Sequence, residues 1–379
     1  MKIVEVNCHV APMAGSWLSE SVIANPMSGY PEYWERRSSW FGEMTAAAIE
    51  IVVEDGTRGF GFVGGGKGRV ASAILDAQFR GLLVGKRIDD LTAIHSLQEQ
   101  LWRASIPYGQ GGVTQELISG VDIAAWDALG KTKGEPCWAL MKGTPRRALP
   151  VYYTGNTPEA LAEFGIRNMK IAMPYGPAHG EEGMRHNVET VARARDLLGP
   201  EAFLALDIYM SWNVDYTLRM YERLERFNIA WLEEPVLPGD YAAYRAIRER
   251  VSTKVSGGEH VYSYEGFRQL VTEGCVDILQ PDIYRAGGPT ALCRLLGLAL
   301  AFKKQLICHG IGAPTYHFLC TMPEEITPFA EYVDIYRGTT KEWILTDDSR
   351  PVDGVITLDD QPGFGYTLRP GGGPVATIW

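Results

Sequence analysis

From about residue 150 onward the chain repeats one unit, a short apolar run followed by a helical stretch. The runs are Val151–Thr154, Met169–Ala172, Phe203–Leu206, Ala230–Leu232, Lys254–Ser256, Val276–Leu279 and Leu306–Cys308. Spaced roughly one βα unit apart, they predict parallel strands joined by crossover helices. About seven or eight such units make a (β/α) barrel rather than an open sheet. A barrel with a smaller satellite domain also suits 379 residues.

The start of the chain has a different pattern. Lys2–Val6 and Ala47–Glu54 are apolar, β-branched runs, and Asp55-Gly56 signals a hairpin turn into Arg58–Val63. Between them, residues 11–40 hold Gly, Pro, Ser and aromatics without a period, which predicts a lid or binding loop. Val113–Lys131 carries Leu117, Ile118, Val121, Ala124, Ala125, Ala128 and Leu129 at helical spacing. The tail from about 345 is rich in Gly and Pro and long enough to fold back over the first domain.

Charge and composition narrow the partners. Lys+Arg 36 against Asp+Glu 46 gives a net charge of −10, with no basic run longer than two residues. Nucleic acid and anionic membranes both need a positive field, so neither is expected. The N-terminus lacks the apolar core of a signal peptide, and the most apolar stretch, Leu295–Phe302, is far short of a bilayer span. Six cysteines, at 8, 137, 275, 293, 308 and 320, form no CxxC pair. A reduced, cytoplasmic protein is expected.

Gly59-Phe60-Gly61-Phe62-Val63-Gly64 matches GxGxxG, and Gly61 to Lys67 matches GxxxxGK. The preceding strand belongs to a hairpin, and Gly68 replaces the Ser/Thr that would hold Mg²⁺, so a glycine-rich turn is the simpler reading. Acidic residues after the barrel strands say more. Asp207 ends one apolar run, Glu233 the next, and Glu259 follows Ser256-Gly257-Gly258, at two equal intervals of 26 residues. One βα unit per interval puts all three at the C-terminal barrel face, where such barrels keep their chemistry. Three converging anions call for a hard cation such as Mg²⁺, although a single strand-end Asp is more often a helix cap. Asp282, in Gln280-Pro281-Asp282, and His309, in Cys308-His309-Gly310, would be neighbours on that face. An Asp on one imidazole nitrogen fixes the tautomer and leaves the other nitrogen free to take a proton; alone, His309 would read as structural. Lys170 is open between neutralising a substrate carboxylate and a solvated side chain.

Several runs carry a family resemblance. Val121-Asp122-Ile123-Ala124-Ala125-Trp126-Asp127, Trp231-Leu232-Glu233-Glu234-Pro235, Gly258-Glu259-His260, Gln280-Pro281-Asp282 and Pro362-Gly363-Phe364-Gly365 resemble the enolase superfamily, in its mandelate-racemase-like branch. The resemblance covers essentially the whole chain. It implies an α/β fold, a modified (β/α)₇β barrel over 141–344 with an α+β capping domain over 1–140. The segment 345–379 would pack back on the capping domain. It also implies Mg²⁺ held by Asp207, Glu233 and Glu259, with Asp282 and His309 as a catalytic dyad.

Within that branch the chain is most similar to the L-rhamnonate dehydratases, through Asn25-Pro26-Met27-Ser28, Met173-Pro174-Tyr175-Gly176-Pro177 with His179, Asp207-Ile208-Tyr209-Met210-Ser211 and Thr327-Pro328-Phe329-Ala330-Glu331. The resemblance makes Glu331 a hydrogen-bonding partner of the substrate, and Lys170, from its strand-end position, completes the expected catalytic set. Trp17, Met27 and Arg37 of the long loop, which is placed as a lid over the barrel mouth, are expected as substrate contacts with Tyr209 and His260. Two departures stand out. Ala172 occupies the place of mandelate racemase's second lysine, which argues against a two-base racemase. Val22 stands about where rhamnonate dehydratases carry a loop histidine, which leaves the sugar open. The expected activity is Mg²⁺-dependent dehydration of a small acid sugar, L-rhamnonate-like or L-lyxonate-like, to a 2-keto-3-deoxy acid through a metal-stabilised enediolate. A homo-oligomer is expected. The alternatives are a racemase or epimerase of a related carboxylate, or a non-catalytic protein on the same fold.

Overall fold

Nine residues of one strand, Thr45–Val53, are buried along their whole length, and they organise the N-terminal part of the molecule. A computed structural model describes residues 1–12, 24–33, 45–64, 66–143, 145–155, 159–333, 345 and 349–368. In it β1 (Ile3–Pro12), β2 (Thr45–Val53) and β3 (Arg58–Val63) form an antiparallel sheet in sequence order, and Gly56 turns the β2–β3 hairpin with φ +87°. Helix α1 (Leu91–Ala104) is followed by α2 (Val113–Lys133), which lies on this sheet and is buried from Thr114 to Gly130.

That contact explains the glycine motif. A Cβ on Gly59 would lie 2.1 Å from the Ala124 carbonyl oxygen, and one on Gly61 1.9 Å from that of Gly120. Here glycine allows strand and helix backbones to touch. Asp127, buried on α2, accepts hydrogen bonds from Phe60 N and Phe364 N, each at 2.8 Å, and so ties β3 and the C-terminal tail to one helix. Gly61→Ala should cost about 3 kcal/mol of stability, because the clash is with backbone that cannot rotate away. Chemical denaturation would show this as a lowered midpoint, and an unchanged midpoint would refute the close-packing explanation.

The βα rhythm forms the second unit. Strands β4 (Ala148–Thr154), β5 (Met169–Ala172), β6 (Leu204–Asp207), β7 (Ile229–Glu233), β8 (Lys254–Gly257), β9 (Ile278–Leu279) and β10 (Gln305–Leu306) pair in parallel in sequence order. An eighth strand, β11 (Ala330–Tyr332), adds in parallel to the free edge of β4. Leu306 N donates to Ile326 O at 2.9 Å and Thr327 Oγ1 to Leu306 O at 2.6 Å, so β10 meets the segment entering β11 and the sheet curls round. Outside β4, β12 (Val355–Thr357) pairs antiparallel. The architecture is thus a TIM-barrel-like sheet with an N-terminal α+β unit, as the repeat and the resemblance predict.

The crossovers are α3 (Glu159–Phe164), α4 (Gly180–Leu198), α5 (Val214–Leu224), α6 (Tyr241–Arg248), α7 (Tyr264–Thr272) and α8 (Gly288–Ala301), with α9 (Ala313–Leu319) before β11. Local chemistry starts several of them: the side chains of Asn213, Asp240 and Ser263 cap α5, α6 and α7 by accepting from Tyr216 N, Ala243 N and Gly266 N. Each then buries one stripe; in α5 it is Tyr216, Thr217, Met220, Tyr221 and Leu224.

Candidate active site

Strand periodicity builds the site. Tyr152, Ala205, Trp231, Ile278 and Ile307 point into the barrel and form one buried apolar cluster, with Phe329 packed against it. Side chains two residues apart share a face of a strand. Two positions further along therefore come Thr154, Asp207, Glu233, Gln280, His309 and Glu331, stacked over that apolar floor at the C-terminal ends of the strands. Asp207 and Glu233 are direct neighbours in the β6–β7 register.

The backbone is bent where these residues emerge. Tyr209, Met210 and Glu234 have φ of 47°, 60° and 40°, a costly region for residues other than glycine. Gly258, at φ +137°, turns the chain after β8 so that Glu259 and His260 follow, and a Cβ there would meet the Phe267 ring at 2.8 Å.

Two linked networks result. In the first, Lys170 is 0% exposed and its Nζ is bonded to Glu233 Oε1 and lies 3.0 Å from Glu331 Oε1. Glu233 Oε2 also accepts from Trp231 Nε1 at 3.0 Å and Gln280 Nε2 at 2.7 Å. Glu331 accepts from Thr154 Oγ1 at 2.5 Å and Gly310 N at 2.7 Å. In the second, His309 Nδ1 and Asp282 Oδ2 are 2.9 Å apart, and His309 Nε2 is 3.3 Å from Glu259 Oε2. Arg285 reaches Glu259 and Asp282, each at 3.2 Å. His260 Nδ1 sits 2.7 Å from Glu234 Oε2, with the Tyr209 ring edge-on at 5.4 Å.

The charges do not balance. Asp207, Glu233, Glu234, Glu259, Asp282 and Glu331 are all buried, against the buried cations Lys170 and Arg285. Burial opposes a charged Lys170, but Glu233 and Glu331 outweigh it and hold its pKa well above the usual lysine range. Burial opposes the charge on His309 too, yet Glu259, the Asp282 hydrogen bond and Glu331 push its pKa up to about 9. Burial, opposed by Lys170 and reinforced by Asp207, Glu331 and Glu259, pushes the Glu233 carboxyl up to about 8. Glu259, beside His309, His260 and Arg285, is instead held well below the usual carboxylate range despite its burial. Oxygen donors in this negative field fit a hard divalent cation.

The structure does not gather every expected residue. Among the described residues, the acid and imidazole trio whose ligand atoms all lie within 4.8 Å of one another is Glu234, Glu259 and His260. Asp207 and Glu233 adjoin it on the neighbouring strand ends, with Glu233 turned to Lys170. Met27 lies in a short 3₁₀ turn, Pro26–Gly29, whose approach is tied to the end of β5 by Ala24 N donating to Met173 O at 3.0 Å. Trp17, Val22 and Arg37 lie outside the described residues. Sequence reading gave no role to Arg285, Glu234, Thr154 or Gln280. A lone Arg three residues after Asp282 has no local signature of burial, since most arginines are exposed.

With this geometry in place, comparison with known proteins is informative. Residues 39–142 match the mandelate racemase / muconate lactonizing enzyme N-terminal domain, and 156–371 the enolase C-terminal domain-like family. An L-rhamnonate dehydratase of Saccharopolyspora erythraea is 32% identical over 93% of this chain and 91% of its own length. The crystal structure of L-rhamnonate dehydratase from Gibberella zeae superposes with a TM-score of 0.88 at 34% identity, covering 98% of this chain and 94% of that one. The Gibberella zeae rhamnonate dehydratase has also been solved complexed with Mg, and this chain is similar to it with a TM-score of 0.88 at 33% identity, over 98% and 94% of the two chains.

Proposed function

The chain belongs to the enolase superfamily and is a hydro-lyase of it; from that premise we propose that it dehydrates an acid sugar, an L-rhamnonate-like or L-lyxonate-like aldonate, with Mg²⁺ as cofactor. One observation carries this reading: among the described residues, the site has a base on one side only. His309 is oriented by Asp282, whereas Lys170 is fully buried between two carboxylates and Ala172 has no proton-accepting group. A racemase needs a proton acceptor and a donor on opposite faces; an elimination that returns the same proton needs one.

Asp207, Glu233 and Glu259 would hold the cation, and the burial of Glu233 beside the carboxylates of Asp207, Glu331 and Glu259, opposed by Lys170, supports that assignment. Bound Mg²⁺ supplies the positive charge that makes a proton next to a carboxylate removable, its established use in enolase-superfamily sites. Against burial, the His309 pKa is raised first of all by the charge of Glu259, so with that charge taken up by the cation Glu259 is assigned to hold, His309 would be neutral. Asp282 holds Nδ1–H and leaves Nε2 free to take the C2 proton. The imidazolium then gives that proton to the departing 3-hydroxyl, which makes the elimination syn. Glu331, anchored by Thr154 and Gly310, faces the same space and is assigned a hydrogen bond to the substrate. Lys170 is the fixed cation between Glu233 and Glu331, and its charge opposes the burial that raises the Glu233 carboxyl. Met27, Tyr209 and His260, together with Trp17 and Arg37 of the 11–40 loop, are assigned to substrate recognition.

A library of aldonates incubated with the protein and Mg²⁺ should yield 2-keto-3-deoxy acid from at least one member, and EDTA should stop the reaction. Arg37→Ala should raise KM or shift sugar preference and leave Mg²⁺ affinity unchanged. If no aldonate gives a keto acid, while D₂O incubation shows C2 deuterium with inversion, the protein is an epimerase and the dehydratase reading fails.

A further inference from the structure

We propose that Arg285 is a positioning residue that ties Asp282, the partner of His309, to Glu259, so that base and metal ligand keep a fixed spacing. The guanidinium bridges two carboxylates. Arg285 Nε lies 3.2 Å from Asp282 Oδ2, the same oxygen that holds His309 Nδ1 at 2.9 Å. On its other side Arg285 Nη1 reaches Glu259 Oε1 at 3.2 Å and the Glu259 backbone oxygen at 3.1 Å. The second Asp282 oxygen is taken by Tyr284 N at 2.7 Å, so the carboxylate cannot swing to compensate for a lost arginine.

The arginine is itself rigid. It is 6% exposed and sits in a turn closed by Arg285 N donating to Asp282 O at 3.0 Å. The chain then enters α8 through Gly287 and Gly288, at φ +111° and +74°, where added side chains would strike Gln98, Gln115 and Asp122. A planar guanidinium can bond two carboxylates from different strand ends at fixed angles, and an ammonium on a flexible stem cannot. Its charge also helps hold Asp282 ionised against burial, which keeps the imidazole acceptor in place. Geometry, more than charge, is therefore what Arg285 contributes, on the reading above that His309 is the base.

The test pairs Arg285→Lys, which keeps the charge and loses the fork, with Arg285→Ala. Arg285→Lys, assayed at saturating Mg²⁺, should lower kcat about 10–100-fold, the cost of a misplacement near 1 Å, while KM stays within about threefold. Added guanidinium should restore at least about tenfold of the kcat lost in Arg285→Ala, and methylammonium should not. In both variants the downfield imidazole Nδ1–H resonance of His309, sharp in the parent protein, should broaden or move. A Lys variant with parental kcat would overturn the proposal, because charge alone would then suffice. So would losses spread equally over kcat and KM, or a folded Ala variant that guanidinium does not rescue. If Arg285→Ala does not fold, the Lys variant decides. Should the parent protein dehydrate no acid sugar, the functional reading fails by itself, and the His309 resonance in Arg285→Lys still decides whether the His309–Asp282 pair is held by the fork.

Discussion

His309→Asn is expected to lower kcat by about 10⁴-fold and to end exchange of the substrate C2 proton with D₂O. Both losses follow from one residue acting twice. On the proposed mechanism the nitrogen that takes the C2 proton is the one that returns it to the 3-hydroxyl, and Asn could do neither. Lys170 does not substitute, because its Nζ is held by Glu233 and Glu331 and its proton is stabilised far beyond the usual lysine range. Asp282→Asn should behave differently. It keeps the imidazole but disturbs its tautomer and loses the charge that Arg285 and His309 share, so a residual rate is expected. Proton exchange and product formation, measured together by NMR, check both variants. Continued C2 exchange in His309→Asn would point to a second base and end the single-base mechanism.

Glu233→Gln should weaken Mg²⁺ affinity by more than about 100-fold, since even partners that only orient ligands are worth 10–100-fold. The residue matters twice here too. It is assigned as an anionic ligand, and it is one of the two carboxylates that neutralise the buried Lys170. Removing its charge leaves Lys170 with Glu331 alone, and an underpaired buried cation repels a second cation and costs stability. Titration calorimetry reads the affinity, and thermal unfolding without metal reads the structural share. Unchanged Mg²⁺ affinity in a folded Glu233→Gln protein would remove Glu233 from the ligand set, and undiminished turnover in EDTA would remove the metal requirement itself.

The same chain shows where local reading works and where it stops. Seven of the barrel strands are legible as short apolar runs, but β11 is not. Its three residues centre on Glu331, and a strand that short carries no hydrophobic signal of its own. Strand bounds shift for a related reason. The runs Val276–Leu279 and Leu306–Cys308 pair only at Ile278–Leu279 and Gln305–Leu306, because Pro281 has no N–H for a ladder. Past that point the pairing survives as a single bridge between Asp282 and His309, and that bridge sets the two side chains together.

What the sequence alone determined is the ordering along each strand. An apolar residue followed two positions later by an acid, amide or imidazole recurs at Ala205 and Asp207, Trp231 and Glu233, and Ile307 and His309. A strand's period of two turns this pattern into a floor and a reactive layer without any knowledge of neighbours. Only the tertiary structure decided which charges meet. Lys170 finds Glu233 and Glu331 across 63 and 161 residues of chain, and Arg285 bridges to Glu259 over 26. Such pairs depend on sheet curvature, on closure of β10 toward β11 and on the turn angles at Gly258 and Gly287, none of which is written in a local window. The physical reason is one of range. Side-chain alternation is set by backbone sterics within a few residues, whereas the partner of a buried charge is set by which distant strand ends share the low-dielectric mouth of the barrel.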